Sequence, residues 1–536
     1  MSSAQSPASE PTGQIPVASP AASSGTVIPV GPEPLTVEQV VAVARGGAKV
    51  ELTDEAVKRI EAARVHVDAH AAASRPAYGV STGFGALATK HIPVERRADL
   101  QRSLIRSHAA GAGDPVEPEV VRAMMLLRLR TLAAGHSGVR PETAQALAAL
   151  LNAGLIPVVH EFGSLGCSGD LAPLAAVALA LMGEGEVFDP EGHRRPAADA
   201  LAEAGIEPVR LAEKEGLALT NGTDGMLGML ALALTDLSRL LDVADLTAAM
   251  SVEALLGTDR VFAADLHALR PHPGQAHSAA RMTALLAGSP IVASHRGPED
   301  PRVQDAYSLR CAPQVHGAAR DTVAHARTVA ERELASAIDN PVVLDDGRIE
   351  SNGNFHGAPV AYVLDFLAIP IADVASMAER RTDRMLDVAR SHGLPPFLAD
   401  DPGVDSGYMI AQYTQAAVVS ELKRLAVPAS VDSIPSSAMQ EDHVSMGWSA
   451  ARKLRRAVRG LTTVLAVEYL TSARALDLRQ PLEPAAATGA AVALLRERVP
   501  GAGPDRHLAP EIAAAEELIA SGAVLDAVSP HLGGNA

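Results

Sequence analysis

The chain has 536 residues, 47% of them hydrophobic, and a formal charge of −17. Such a chain can bury a large core and build more than one subdomain, and its acidity argues against nucleic acid or an anionic membrane as a partner. Two cysteines, Cys167 and Cys311, exclude a disulfide framework and a clustered metal site, so no metal is expected and a reducing cytosol suits the chain.

Residues 1–34 are rich in Ser, Pro, Ala and Gly, carry no aromatic residue and read as a disordered tail. The opening Met1-Ser-Ser-Ala-Gln-Ser-Pro has neither the basic nor the apolar region of a signal peptide, so the expected location is cytoplasmic. Thr36-Val-Glu-Gln39 has capping-box spacing and predicts a helix start. A second helix is predicted from Asp54 to about His70. Tyr78-Gly-Val-Ser-Thr-Gly-Phe-Gly85 sets three glycines around two aromatic rings, which means a loop. No Lys-Ser/Thr pair follows Gly85, so a phosphate cradle has little support. On such a loop the Tyr78 hydroxyl is a candidate general acid or base, with an ordinary connection as the alternative. His108, in Ser107-His-Ala-Ala-Gly111, reads by itself as a structural or surface histidine. Apolar helical spacing then recurs over Glu119–Ala134 and Glu142–Ala153, ending near Gly135 and Gly154.

Gly163-Ser-Leu-Gly-Cys-Ser-Gly-Asp-Leu-Ala-Pro-Leu174 puts three small residues, Cys167, Ser168 and Gly169, just before an apolar run to Met182. Asp170 is a candidate N-cap, and Pro173 falls in the first turn. The triplet therefore lies where free N–H groups and the positive end of the helix dipole stabilise negative charge. The spacing does not fit a Gly-x-Ser-x-Gly nucleophile elbow, because position 170 is Asp. A plain turn, a Cys167 thiolate nucleophile and a backbone condensation remain. In the last, Gly169, lacking Cβ, brings its nitrogen to the Cys167 carbonyl, and the Ser168 hydroxyl leaves as water. The product would be a 4-methylidene-imidazol-5-one, an electrophile that no coded side chain supplies.

Asn221, in Leu219-Thr-Asn-Gly-Thr223, precedes a long apolar segment, Met226–Leu256, broken by acids and Arg239. That is a buried helix rather than a membrane span. Similar patterns recur at Val315–Ser336, Pro359–Ser391, Tyr408–Ala426, Ser449–Arg474 and Glu511–Ala520, and alternating strands are nearly absent. The fold class is all-α: a long-helix bundle core over residues 226–536, preceded by a loop and helix region, 35–225, that carries the candidate active-site loops. The apolar faces exceed what one chain can cover, which implies a homo-oligomer. Arg310, in Gln304-Asp-Ala-Tyr-Ser-Leu-Arg310, suits a carboxylate through its forked guanidinium, or a structural salt bridge. Glu441, in Met439-Gln-Glu-Asp-His443, is by itself part of a solvated face or turn, with no second ligand cluster for a metal.

These segments together, over about residues 36–530 and in one order, resemble the histidine and aromatic amino acid ammonia-lyase family, whose members build the methylidene-imidazolone from Ala-Ser-Gly or a close variant. The resemblance implies that this chain makes its own prosthetic group autocatalytically from Cys167-Ser168-Gly169 and needs no external cofactor. It assigns the substrate β-proton to Tyr78 and contact with the prosthetic group and the substrate amine to Asn221. It places the substrate carboxylate on Arg310, Gln304 and Tyr307 beside the electrophile, and Phe355 of Asn352-Gly-Asn-Phe355 near the ring. Histidine-specific members resemble this chain at Ser107-His108 and at Glu441, where phenylalanine- and tyrosine-specific ones are apolar or not acidic. The expected reaction is therefore loss of ammonia from L-histidine to give trans-urocanate. Whether the amine or the imidazole adds to the electrophile stays open. An aromatic ammonia-lyase, a 2,3-aminomutase and a catalytically silent scaffold are the alternatives. A homotetramer with shared sites is also implied by the family. Cys167 departs from the usual Ala and Ser81 from Asn or Thr; neither removes an atom that the ring closure uses.

Overall fold

The computed structural model describes residues 25–72, 82, 92–297 and 303–533. The chain divides into two compact units. The first comprises Met1–Met229, Glu331–Ala358 and Asp432–Trp448; the second comprises Leu230–Ala330, Pro359–Val431 and Ser449–Ala536. Helices dominate both, and the strands among the described residues are two to four residues long.

The first unit starts earlier than the tail reading allowed. Val27–Val30 is a strand, paired in parallel with Lys49–Leu52, and its Ile28 and Val30 are buried. The helix Val37–Ala44 opens with the expected reciprocal cap between Thr36 and Gln39. It packs on Pro118–Ala133, which in turn packs on Pro141–Asn152. Both of those helices place proline in the first turn, where no N–H is needed. Both end at the expected glycines: Gly135 and Gly154 have φ of +82° and +72°, the left-handed stop a helix terminus takes. Leu171–Leu181 is apolar on every side and sits in the core. The helix Arg97–His108 packs on it and on the short helix Glu215–Ala218. This packing aims the C-terminal end of one helix and the N-terminal end of another into the same region.

The second unit is a bundle of long helices cross-linked by buried charge. Glu468, on Gly447–Asp477, accepts from Thr247 and Ser251 of Asp224–Ala254 and from Arg381 of Ala358–Leu386. Arg381 and Glu468 are fully buried, so each needs the other. His316 and Arg320 of Ala312–Leu334 both reach Asp245, at 2.7 and 2.6 Å. The helix Ala358–Leu386 is long and apolar enough to cross a membrane by composition alone. Its buried Asp365, paired with Lys453, and its Arg381 mark it instead as a core helix.

Candidate active site

The bend at 163–170 is a run of left-handed residues. Gly166, Ser168 and Gly169 have φ of +70°, +44° and +82°. At Gly169 the need for glycine is steric as well as conformational: a Cβ there would overlap the Gly222 backbone, to which the bend is bridged. Asp170 N–H donates to Gly222 O at 2.7 Å, so the segment carrying Asn221 is tied to the bend.

Asp170 occupies the N-cap position of Leu171–Leu181, but its side chain does not cap that helix. Its Oδ2 accepts from the N–H groups of Gly225 and Met226, each at 2.9 Å, at the start of Asp224–Ala254. Its Oδ1 accepts from Ser164 Oγ at 2.9 Å. The carboxylate thus serves a helix distant in sequence, where the positive dipole end favours it. Burial pushes the Asp170 carboxyl up to about 7, against the pull of the Met226 N–H and Ser164 hydroxyl bonds. The folded chain therefore holds a proton there that the unfolded chain loses near the ordinary value of about 4. Stability from this group is fully present below about pH 4 and is lost as pH rises through about 7. Asp170→Asn is expected to remove that dependence, at most about 1.4 kcal/mol per pH unit, from the difference between variant and wild-type denaturation midpoints measured from pH 4 to 8.

Asn221 is buried, and its Nδ2 donates to the carbonyls of Leu217 (3.3 Å) and Asn340 (3.2 Å). Two carbonyl partners fix which end of the amide is NH2 and leave Oδ1 as its acceptor. Those two carbonyls lie on segments joined by the buried pair Lys214–Asp339 at 2.6 Å.

Glu441 meets the bend directly. Cys167 Sγ–H donates to Glu441 Oε2 at 3.2 Å, and Ser436 O–H donates to the same oxygen at 2.9 Å. Burial, then the Glu441 charge, push the Cys167 thiol up to about 12. At neutral pH it is a thiol donor, which removes the thiolate-nucleophile reading. The Glu441 segment is stitched to the bend again by Ser445 Oγ to Gly166 O (3.0 Å) and Met446 N–H to Leu165 O (2.8 Å). Ser437, Ala438 and Met439 all have positive φ, 50° to 69°, a turn that costs roughly 1–2 kcal/mol per residue and persists only where its surroundings hold it. Phe355 lies two residues from Gly357, whose N–H reaches Gly166 O at 3.3 Å.

His108 ends the helix Arg97–His108. Ser107 Oγ donates to Leu104 O (2.9 Å), so its 3.1 Å contact with His108 Nδ1 is made by an Nδ1–H donor. Burial lowers the His108 pKa, with the Leu104 carbonyl and Glu441 opposing. The neutral ring then offers Nε2 as an acceptor.

The first unit therefore assembles Cys167, Ser168, Gly169, Asn221 and Glu441, with His108 within electrostatic reach and Phe355 on an adjoining turn. Gln304, Tyr307 and Arg310 belong to the second unit. There the Arg310 guanidinium lies 4.7 Å over the Tyr307 ring, and its buried Nε has no hydrogen-bond partner among the described residues. Arg381 holds this segment through Ser308 O at 3.1 Å. Tyr78 and the rest of its loop apart from Thr82 lie outside the described residues. Asp339, in Asp339-Asn-Pro341, and Ser445, within Met439–Met446, lie in segments that resemble the family, but Ser436 and the pairing of Lys214 with Asp339 escaped the sequence reading, because no local pattern marks a partner over a hundred positions away or a residue whose role is to hold another side chain. Among the described residues no group of three or more His, Cys, Asp or Glu could hold a metal ion.

Residues 35–497 match the family model for aromatic amino acid lyases. A histidine ammonia-lyase of Streptomyces avermitilis is 66% identical over 94% of this chain and 98% of its own; one of Anaeromyxobacter dehalogenans is 52% identical over 92% and 98%. Among solved structures, histidine ammonia-lyase from Trypanosoma cruzi aligns with a TM-score of 0.87 at 39% identity, covering 95% of this chain and 96% of that one. A tyrosine aminomutase from Streptomyces globisporus aligns at 0.90, also at 39%, covering 95% and 99%. The chain belongs to the aromatic amino acid lyase family. Its activity is that of an ammonia-lyase.

The residues at the bend fit the ring-closed group that the family carries. Two consecutive left-handed residues, Ser168 and Gly169, turn the chain directly after Cys167, and the Gly222 backbone occupies the place of a Cβ at Gly169, so the position accepts only the residue whose nitrogen can close on the Cys167 carbonyl.

Proposed function

We propose that this chain is a histidine ammonia-lyase, releasing ammonia from L-histidine to leave trans-urocanate. The solved relatives do not by themselves separate histidine from tyrosine, since two with different substrates in their names are equally identical in sequence. The observation that carries the reading is the polar pair beside the triplet: Glu441, seated against it by the Cys167 thiol, with a neutral, half-buried His108 nearby. An imidazole needs such partners, because an unpaired buried ring nitrogen costs roughly 1–3 kcal/mol. A phenyl ring would offer no donor to the Glu441 oxygen that Ser436 and Cys167 do not reach. The high identity to curated histidine ammonia-lyases supports the same choice.

The reaction must remove a weakly acidic β-proton and expel a poor leaving group. The methylidene-imidazolone, formed from Cys167-Ser168-Gly169, would supply an electrophilic carbon that improves that leaving group. The chain's own side chains do the rest. Glu441 accepts from the imidazole, and the carboxylate falls to an Arg310 of the homotetramer, so that binding energy becomes alignment. Asn221 Oδ1, fixed by two carbonyls, faces the amine as an acceptor. Tyr78 takes the β-proton as general base. Glu441→Gln is expected to lower kcat/KM for histidine by roughly 100-fold, the loss of a charge-assisted hydrogen bond. The assay that tests the function compares histidine, tyrosine and phenylalanine by the ultraviolet absorbance of their products. No turnover of histidine overturns it.

The working form is a cytoplasmic homotetramer in this reading. Tyr362, Phe366 and Ile369 form one exposed apolar face of Ala358–Leu386, and Ile410 and Tyr413 form another on Met409–Leu425. Patches of this kind on long helices suit subunit contacts. Light scattering on the purified chain gives the subunit number.

A further inference from the structure

We infer that Ser436, with the Cys167 thiol as second donor, is a positioning residue for Glu441 and through it sets the preference for an imidazole side chain. The inference rests on the reading of Glu441 as the imidazole's partner. An ionised carboxylate only accepts hydrogen bonds. Here both donors, Ser436 Oγ at 2.9 Å and Cys167 Sγ at 3.2 Å, converge on Oε2. Oε1 has no partner among the described residues. Two donors on one oxygen fix the carboxylate's rotation and leave the other oxygen turned to the ligand.

The backbone around Ser436 is built for this. Ser436 N–H donates to Glu441 O at 2.9 Å and Glu441 N–H to Ser436 O at 3.3 Å, closing the left-handed turn Ser437–Met439 between them. The hydroxyl of the residue that opens the turn therefore meets the carboxylate of the residue that closes it. Val444 N–H to Ser433 Oγ, at 3.0 Å, closes a wider loop around the same turn. The remaining stitches to the bend, at Ser445 and Met446, fix the backbone and leave the Glu441 torsions free. Among the described residues, Ser436 and Cys167 are the groups that restrain those torsions. A carboxylate free to rotate would still bind an imidazole, but would spend part of its interaction on losing that freedom.

The test uses the full chain and four enzymes besides wild type: Ser436→Ala, Ser436→Thr, Glu441→Gln and the double variant Ser436→Ala with Glu441→Gln. Intact mass first establishes that each lacks two waters. Ser436→Ala is expected to raise KM for histidine by roughly fivefold while kcat changes by less than about twofold, the effect of one lost hydrogen bond on binding. Ser436→Thr keeps the hydroxyl and restores KM. In the Glu441→Gln background, Ser436→Ala adds less than about twofold, because the two act as one unit. A Ser436→Ala enzyme with wild-type KM, or effects of Ser436→Ala and Glu441→Gln that multiply, overturns the inference. A wild type inert toward histidine, or a Glu441→Gln enzyme equal to wild type, overturns the reading of Glu441 itself and the inference with it.

Discussion

Ser168→Ala is expected to leave the fold intact and abolish the activity. The wild-type chain should weigh two waters less than its translated sequence, and the variant should show no deficit. Addition of the Gly169 nitrogen to the Cys167 carbonyl is held as a ring only when the Ser168 hydroxyl also leaves, because that loss makes both the electrophile and the conjugation that stabilises the ring. Alanine has no hydroxyl to lose. The side chain at 168 is half-buried and its left-handed backbone, φ +44°, is no worse for alanine than for serine. The denaturation midpoint should therefore move by no more than about 0.5 kcal/mol. Histidine turnover should fall by more than about a thousandfold, which is about 4 kcal/mol of lost transition-state stabilisation. A Ser168→Ala enzyme with near-normal kcat would mean that the electrophile is not made at this bend. A wild-type mass without the deficit would say the same by a shorter route.

What could be read from the sequence divides along the range of the interactions. The helices were legible because their signals are local: the Thr36–Gln39 box, the stops at Gly135 and Gly154, and the apolar period of the long segments, whose observed bounds lie within a few residues of the expected ones. The bend was legible because small residues before an apolar helix leave few other conformations. The strand Val27–Val30 was not, since its partner Lys49–Leu52 lies beyond an intervening helix and its surroundings have the composition of a tail. Asp170 shows the same limit inside the site. Its position says N-cap of the next helix, and its position is right, yet its oxygens serve Gly225 and Met226, 55 and 56 residues away. Tertiary partners outbid local ones whenever they are better placed, and nothing within a short window of sequence reveals them. Glu441 was found through resemblance to a family, whereas Ser436, in Ile434-Pro-Ser-Ser437, carries no mark of its own.

Lys214→Met is expected to cost more stability than any surface change, about 3–5 kcal/mol, and to reach the active site as well. Lys214 and Asp339 are 0% and 1% exposed, 2.6 Å apart. Burial lowers the Lys214 pKa, and Asp339 opposes that by attraction and by the hydrogen bond. Removing the ammonium leaves the Asp339 carboxylate buried, with the Asn340 N–H as its one remaining donor among the described residues. The pair also joins two segments that grip Asn221: Lys214 precedes the helix whose Leu217 carbonyl accepts from the amide, and Asp339 precedes the Asn340 carbonyl that accepts the second bond. Loosening the clamp should therefore misplace Asn221 and lower kcat, while KM for histidine, set largely at the Glu441 end, changes less. Urea midpoints and histidine kinetics on the same preparations measure both. The double variant Lys214→Met with Asp339→Asn separates the causes, since asparagine keeps the acceptor for the Asn340 N–H and carries no charge. It should recover about half or more of the lost stability, because an uncharged pair has no ion to desolvate. A double variant no more stable than Lys214→Met alone would place the loss in the fit of methionine among its neighbours, not in the stranded carboxylate.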